Sequence, residues 1–300
     1  MLLYGDTNAT KTTQIGFLAK EIFASTGKRT RMLSADSTWD PIEPLVRTTE
    51  NPDGIIEVFH LQRLKTPLSG MVKFGNGWWP NLNDKTGKLE FAPPTPTTFN
   101  DYGLYAIEGL STISDMLLQD HIANRRVIGQ EVVGKFDVPV DVAGGTSEIL
   151  HFAKSAMTHF GHVQDFVLLD LVPRFAALPL EWVVWTAHEA RGKDEITGKP
   201  IALGPATIGK AAVGVTARKF GHTLHLMREA IPGGNKMEVR AYFTEHPERD
   251  TIPPMYWPAK VSLPPEQFKI LDKETNGKGY MVLSLEGGVE RLVKLRREGK

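Results

Sequence analysis

The first thirteen residues constrain the fold more than any other stretch of the chain. Residues 1–4 are apolar, Gly5 permits a tight turn, and a helical pattern begins at about Lys11. Residues 5–12 match the phosphate-binding pattern G-x-x-x-x-G-K-[ST] at every position but one. In that pattern, backbone N–H groups and a helix N-terminus surround the phosphates, the lysine reaches the outer ones, and the hydroxyl binds Mg²⁺. The stretch therefore predicts a strand, a phosphate-binding loop and a helix.

The exception is Thr10, which stands where the pattern has its second glycine. A β-branched residue lacks the freedom that glycine has at positive φ. We nevertheless predict a nucleotide site with Lys11 on the phosphates and Thr12 on the metal. An ordinary strand-turn-helix with a solvated Lys11 is the alternative. The predicted nucleotide-binding residues are Gly5, Asp6, Thr7, Asn8, Ala9, Thr10, Lys11, Thr12 and Thr13.

Composition narrows the class of protein. A chain of 300 residues with 41% hydrophobic and 23% charged residues can bury one substantial core. It has no cysteine, which excludes disulfides, thiol catalysis and Cys-ligated zinc. Its formal charge is zero, so any contact with nucleic acid must come from a local patch. With no secretory signal and no apolar run of about 18 residues, we expect a cytoplasmic protein without a membrane partner.

Strand and helix patterns alternate along the first two thirds of the chain. Apolar residues at Ile15, Leu18 and Ile22 predict a helix that ends at Gly27. This alternation predicts an α/β fold with a mostly parallel central sheet flanked by helices. Further strands are predicted at 30–35, 54–60, 104–108 and 181–187, and a C-terminal β-hairpin at 222–228 and 236–243.

Other segments depart from this rhythm. We predict an irregular excursion at 64–100, in which Trp78 and Trp79 pack internally rather than on a ligand, and a hairpin insertion at 129–145. We also predict a long helical stretch over 146–178 and a loop over 190–210. The last segment, 288–300, is basic, and we predict that it is a frayed helix and a solvated end of the chain. The predicted domains are residues 1–250, carrying the nucleotide site, and a C-terminal extension, 251–300.

A nucleotide site of this kind needs an acidic residue at a strand end to hold Mg²⁺ through water. Two segments compete for this role. Residues 166–170 end in Asp170 and residues 104–108 end in Glu108. A strand at 166–170 would leave too few residues for a parallel crossover to the strand at 181–187, and its apolar spacing is helical. We therefore favour Glu108, which a helix follows directly.

The strand at 181–187 delivers polar residues to the same edge of the sheet. Thr186, His188 and Glu189 stand at its end. His188 would sense the γ-phosphate or polarise the attacking water, and Glu189 would be a general base. The alternative is that both residues cap the strand and bond to the following loop.

Several motifs in order resemble a known family. They are Tyr4–Gly16, Ser34–Asp36, Ile42–Leu45, Ile107–Ser111, Trp185–Glu189 and Gly204–Lys210. Together they resemble the phage-encoded RecA-like (AAA/RecA-type) P-loop ATPases implicated in single-strand annealing and recombination. The resemblance spans about residues 1–245. It implies a RecA-like core, binding of ATP and Mg²⁺, self-association into a ring or filament, and single-stranded DNA as a partner. Within it, Lys11, Thr12, Glu108, His188 and Glu189 are the site residues, and Thr10 is the main departure.

The resemblance also implies where DNA and a neighbouring subunit would bind. The loop after the sensing strand would face single-stranded DNA, and its cations are partly offset by Asp194 and Glu195. A solvated loop, or one that inserts into a neighbouring subunit, is the alternative. The DNA candidates are Arg191, Lys193, Lys199 and Lys210. Candidates for a cation that completes a neighbour's ATP site are Arg240 and Arg249. The alternative is that each is an ordinary surface charge.

Three functions remain open from the sequence. The first is an oligomeric ATPase of phage DNA recombination, annealing or related DNA handling. The second is an ATP-binding structural or regulatory assembly protein with a degenerate loop and little turnover, which Thr10 favours. The third is a DNA-translocating or packaging motor.

Overall fold

The computed structural model of the chain describes most of its 300 residues. The described ranges are 1–7, 9–36, 40–82, 89–127, 135–142, 146–153, 157–193, 200–207, 215–231, 236–247, 256–284 and 288–299. They contain strands β1 (Leu2–Gly5), β2 (Arg29–Ser34), β3 (Ile56–His60), β4 (Trp79–Leu82), β5 (Leu89–Ala92), β6 (Tyr102–Glu108), β7 (Lys135–Val142), β8 (Thr146–Ala153), β9 (Trp182–Lys193), β10 (Pro200–Pro205), β11 (Thr223–Ala230), β12 (Met237–Tyr242), β13 (His246–Pro247), β14 (Tyr256–Trp257) and β15 (Tyr280–Leu283).

The same residues contain seven α-helices. These are α1 (Lys11–Thr26), α2 (Pro67–Gly75), α3 (Leu110–Val127), α4 (Met157–Asp165), α5 (Val172–Ala176), α6 (Pro265–Glu274) and α7 (Glu290–Glu298). A π-helical segment, Phe166–Leu171, joins α4 to α5. The sequence prediction that this segment is helical is confirmed.

One large sheet organises the chain. Its strands lie in the order β15-β12-β11-β1-β9-β6-β2-β3. The six strands from β11 to β3 run parallel. Beside β11, β12 runs antiparallel to them, and β15 pairs antiparallel with β12. The predicted α/β class with a mostly parallel sheet is confirmed, as is the hairpin of β11 and β12. β15, from the predicted C-terminal extension, pairs with β12.

Two buried apolar clusters cover the two faces of this sheet. Leu2 and Tyr4 of β1 belong to one cluster and Leu3 to the other, because successive side chains of a strand point to opposite faces. Helix α1 lies on the Leu3 face, where Ile15 and Ile22 are fully buried. It ends at Gly27, whose φ of 70° is the left-handed conformation that glycine adopts readily. The predicted helix is therefore confirmed.

Two sequence predictions about the middle of the chain are wrong in part. Residues 146–153 form β8, not helix, and pair over their whole length with β7, so that the hairpin extends beyond the predicted 129–145. Parts of the predicted loop over 190–210 are also strand, since β9 continues to Lys193 and pairs antiparallel with β10. In both places pairing with a second strand, rather than local propensity, decides the structure.

The excursion over 64–100 is more regular than predicted. It contains α2 and the two-stranded ribbon of β4 and β5. The ring of Trp79 packs at 5.6 Å from that of Phe74 and at 6.0 Å from that of Tyr105. Its predicted internal packing is confirmed.

The basic tail is a docked helix, which corrects the prediction of a solvated end. Val289, Leu292 and Leu295 are fully buried on the α1 side of the sheet. Arg297 donates to both carboxylate oxygens of Glu181, at 2.7 and 2.9 Å. Most residues of α7 are charged, so a count of its charges does not reveal that its apolar residues form a stripe on one face.

In the part of the chain that the structure describes, the helices are all too short or too polar to span a bilayer.

The docking of α7 predicts a large effect for Leu292→Ala. We expect the free energy of unfolding to fall by about 2–5 kcal/mol, because the change removes buried methyl groups and leaves a cavity. Lys294→Ala is the control on the same helix, because its side chain is 46% exposed and lies 3.5 Å from Glu21. That change should stay within about 0.5 kcal/mol. Urea unfolding followed by circular dichroism measures both free energies of unfolding. If both substitutions had equally small effects, α7 would not be docked and the prediction of a solvated end would stand.

Candidate functional site

A cavity of about 530 Å³ opens at the carboxyl-terminal edge of the parallel strands. Ligands of open α/β sheets bind at this edge, because loops and helix N-termini converge there. The residues that line it are Thr7, Ala9, Thr10, Lys11, Thr12, Thr13, Ala35, Asp36, Pro41, Gln62, Glu108, Thr186 and His188. Most of the predicted phosphate-loop residues are among them, and Asn8 lies outside the described residues.

The first glycine of the loop is required by a close approach between strands. A Cβ atom on Gly5 would lie 2.0 Å from the carbonyl oxygen of Leu226 on the neighbouring β11. After Gly5 the loop folds on Asp6, whose carbonyl accepts from Ala9 N at 3.2 Å and whose carboxylate accepts from Thr7 N at 2.8 Å. The glycine thus fixes where the loop leaves the sheet.

Thr10 occupies the conformation that the missing glycine would adopt. Its φ of 58° and ψ of 21° lie in the left-handed region, directly before the first residue of α1. A β-branched side chain is strained there by about 1–2 kcal/mol. The threonine has therefore kept the backbone geometry of the pattern at an energetic cost.

Lys11 is held inside the loop. Its ammonium group donates to the carbonyl oxygens of Gly5, at 3.0 Å, and Asp6, at 2.8 Å. Burial lowers the pKa of Lys11, and the carboxylates of Asp36, Asp6, Glu108 and Glu189 oppose that shift. The ammonium group of Lys11 is thus held at the N-terminus of α1. An anion bound there would compete with the carbonyl oxygens of Gly5 and Asp6 for it.

Glu108 is the buried acid of the cavity. It is 2% exposed, and its two carboxylate oxygens accept from the hydroxyls of Thr12 and Ser34, the latter at 3.0 Å. Burial raises the pKa of Glu108, while the two hydrogen bonds act against the rise. The loop helix α1 and strands β2 and β6 therefore meet at a single carboxylate. The predicted partners Thr12 and Glu108 lie in direct contact.

Asp170, the rejected candidate, lies elsewhere. It belongs to the π-helical segment and accepts from Arg174 Nε at 2.8 Å.

His188 lines the cavity, and a network of hydrogen bonds holds its strand against the start of α3. Ser111 Oγ accepts from the backbone N–H of His188 at 3.1 Å and donates to the carbonyl of Ala206 at 2.9 Å. Thr186 Oγ1 accepts from the N–H of Gly109 at 2.9 Å. The end of β9 is thus fixed beside Glu108.

Glu189 is not among the residues that line the cavity with His188. Neighbouring residues of a strand point to opposite faces, so the two side chains diverge. The carboxylate of Glu189 is 3% exposed and lies 3.0 Å from His225 Nε2. That histidine ring is stacked with the rings of Tyr4, at 4.6 Å, and Trp257, at 4.2 Å. Glu189 is therefore part of a buried polar network behind the sheet.

The sequence prediction missed Asp36 as a cavity residue. Asp36 follows β2 as Glu108 ends β6, and its Oδ1 accepts from Thr112 Oγ1 at 3.0 Å. The signal was present, because the ends of neighbouring parallel strands share one edge. Asp36 gives the cavity a second carboxylate, oriented by a hydroxyl.

Arg240 pairs with carboxylates of its own chain, and its role in a neighbouring subunit's site stays a prediction. It is 8% exposed, pairs with Glu229 and Glu238, and lies 4.5 Å above the ring of Tyr280. Arg249 lies outside the described residues.

Two of the four DNA candidates lie among the described residues. The backbone of Arg191 and Lys193 belongs to β9, while Lys199 and Lys210 lie outside the described residues.

The donor set suits Mg²⁺. Thr12, Glu108 and Asp36 offer oxygen ligands, which this ion prefers, and Mg²⁺ in nucleotide sites takes one or two carboxylates and completes its shell with phosphates and water. Within the described ranges, there is no cluster of three His, Cys, Asp or Glu side chains placed to hold a metal. The residues therefore fit an ion that arrives with a phosphate ligand.

Comparison with known proteins identifies no family. No protein-family model and no curated protein matches the sequence. Among solved structures, the chain is similar to the crystal structure of flagellar accessory protein FlaH from Methanocaldococcus jannaschii, with a TM-score of 0.38 and 9% identity. The match covers 87% of this chain and 80% of that one. Since so low a likeness supports no statement about fold or function, the function is inferred from the site itself.

The raised pKa of Glu108 predicts how stability depends on pH. Between the ordinary carboxyl pKa, 4.5, and the raised one, the folded chain binds more protons than the unfolded chain, so stability falls as pH rises. Above both values the ionised, buried carboxylate is destabilising. In Glu108→Gln without nucleotide or metal, we expect a higher Tm at pH 7.5 than in the parent, and a gain that shrinks below pH of about 4.5.

Asp170→Asn is the control for this measurement, because it makes the same chemical change at a carboxylate that is 39% exposed. Thermal unfolding across the pH range compares the three proteins. A lower Tm for Glu108→Gln at pH 7.5 would show that the two hydrogen bonds outweigh the burial of the charge.

Proposed function

We propose that this protein is a P-loop ATPase that binds ATP with Mg²⁺ in the cavity at the sheet edge and hydrolyses it. One observation carries the proposal: the hydroxyl of Thr12, next to the loop lysine, bonds across the cavity to the buried carboxylate of Glu108. A hydroxyl and a carboxylate on either side of a phosphate loop are the ligands of a nucleotide-bound Mg²⁺ ion.

Each cavity residue has a role in this proposal. The N–H groups at the start of α1 and the ammonium of Lys11 bind the phosphates, and Thr12 and Glu108 hold the ion. Bound Mg²⁺ would stabilise the negative charge on the transferring phosphoryl group. Lys11 would exchange its two carbonyl partners in the loop for phosphate oxygens.

Asp36 is the general base that the geometry favours. It lines the cavity, whereas Glu189, the base expected from the sequence, faces away from it. The hydroxyl of Thr112 orients its carboxylate, as a base requires. His188, whose backbone is fixed by Ser111, is then the residue that contacts the terminal phosphate.

We further propose a RecA-like core that self-associates. Among the described residues that line the cavity, Lys11 is the single lysine or arginine. Transition states of phosphoryl transfer are commonly stabilised by a further cation supplied in trans. A neighbouring subunit in a ring or filament would supply it.

Single-stranded DNA is the proposed partner, in a phage recombination or annealing role. The paired strands β9 and β10 extend from the cavity, and the basic positions Arg191 and Lys193 lie on β9 beyond His188. A phosphate backbone bound there would act on the same strand that carries the site.

A second function has one observation in its favour. The strain at Thr10 suits a loop that retains nucleotide binding for assembly or regulation, with little turnover.

ATP turnover by the purified protein tests the proposal. With Mg²⁺ we expect hydrolysis that single-stranded DNA stimulates more than duplex DNA does. Lys11→Ala and Asp36→Asn should each lower kcat at least about 100-fold, since one removes phosphate binding and the other the base. Lys20→Ala, an exposed lysine of the same helix, is the control and should retain the parent rate.

The outcomes separate the candidate functions. Binding of ATP without turnover in the parent would support the assembly protein. Greater stimulation by duplex DNA would favour a translocating motor. If Lys11→Ala and Lys20→Ala bound ATP equally well, the cavity would not be the nucleotide site.

A further inference from the structure

Thr10 combines two unfavourable features. It is one of two non-glycine residues at positive φ in the described part of the chain, and the other is an asparagine, Asn276, a residue type that tolerates this conformation. Its hydroxyl oxygen is also buried and has no hydrogen-bond partner among the described residues. A strained backbone and an unsatisfied polar atom at one residue both raise the free energy of the folded state.

The groups beside Thr10 are already engaged. The carbonyls of Gly5 and Asp6 accept from Lys11, and the hydroxyl of Thr12 donates to Glu108. The carbonyl of Thr10 itself accepts from Gln14 N at 3.0 Å. The neighbouring groups therefore do not pair with the Thr10 hydroxyl. Because Thr10 lines the cavity, a partner for this hydroxyl can come from a ligand bound there.

A threonine side chain reaches that partner without moving the backbone. Rotation about χ1 from one staggered well to another moves the hydroxyl into a position that the methyl group or the hydrogen held before. The new partner must be an acceptor that enters the cavity from solution. Phosphate oxygens are such acceptors, and hydrogen bonds to charged groups are about twice as strong as neutral ones.

We infer that Thr10 is a phosphate-binding residue: its hydroxyl donates to a phosphate oxygen of a bound nucleoside di- or triphosphate. The inference rests on the proposed function and deepens it. At the position where the pattern G-x-x-x-x-G-K-[ST] offers only a backbone N–H, this chain adds a side-chain donor. The unsatisfied hydroxyl of the free protein becomes satisfied on binding, so binding recovers part of the cost of the loop.

Two substitutions separate the hydroxyl from the shape of the side chain. Thr10→Val keeps the β-branched shape and the backbone strain but removes the hydroxyl. Thr10→Ser keeps the hydroxyl and removes the methyl group. Binding of ADP and of ATPγS with Mg²⁺ is measured by isothermal titration calorimetry, and Tm is measured without ligand.

The inference predicts opposite signs for the two readouts. Thr10→Val should bind both nucleotides at least about tenfold more weakly, because a hydrogen bond to a charged group is lost. Its Tm without ligand should equal or exceed that of the parent, because an unsatisfied buried hydroxyl is gone. Thr10→Ser should bind within about threefold of the parent. A residue with only a structural role would not weaken binding while it raised Tm.

The failures are distinguishable. If the parent protein binds neither nucleotide, the proposed function is wrong. If the parent binds and Lys11→Ala does not, but Thr10→Val binds as tightly as the parent, the function stands and the inference about Thr10 is overturned. A lower Tm for Thr10→Val without ligand also overturns it, because the hydroxyl would then have a partner within the protein.

Discussion

The burial of the Glu108 carboxylate is the constraint on which the rest of the site depends. A carboxylate that is 2% exposed is tolerated only if hydrogen bonds replace water, and here the donors come from Thr12 on α1 and Ser34 on β2. These bonds fix the first turn of α1 above the sheet edge. Because Lys11 precedes Thr12, the same contact sets where the loop holds its cation. The buried carboxylate of Glu108 thus determines where the first turn of α1 and the Lys11 cation lie.

The C-terminal helix reinforces this arrangement at the same end of α1. Gln14, 1% exposed and one turn beyond Thr10, accepts from the backbone N–H of Val289 at 3.0 Å. Val289 leads directly into α7, whose apolar face is buried on the α1 side of the sheet. The phosphate loop is therefore supported by residues from both the beginning and the end of the chain. The many charges of 288–300 suggested a solvated end, but the apolar residues between them are buried.

Local patterns predicted the elements that local chemistry determines. The strand, loop and helix of residues 2–26, the acid at Glu108 and the hairpin of β11 and β12 carry short-range signals in turns, caps and apolar spacing. The sequence did not reveal β8 or the pairing of β9 with β10, because their partners rather than their own residues stabilise them. Glu189 was misplaced for a different reason. The strand alternation that separates it from His188 was knowable, but the burial of its partner His225 was not.

Strand β9 has a mechanical consequence. Its inner half lies between β1 and β6, and its outer half pairs only with β10 among the described strands. The strand runs unbroken to Lys193, roughly 16 Å beyond His188 at the usual rise per residue. Because β9 runs without a break from the cavity to Lys193, a rotation of the strand at His188 would displace its outer residues further than its inner ones. A ligand bound at the outer end would in turn act on His188 through the same strand.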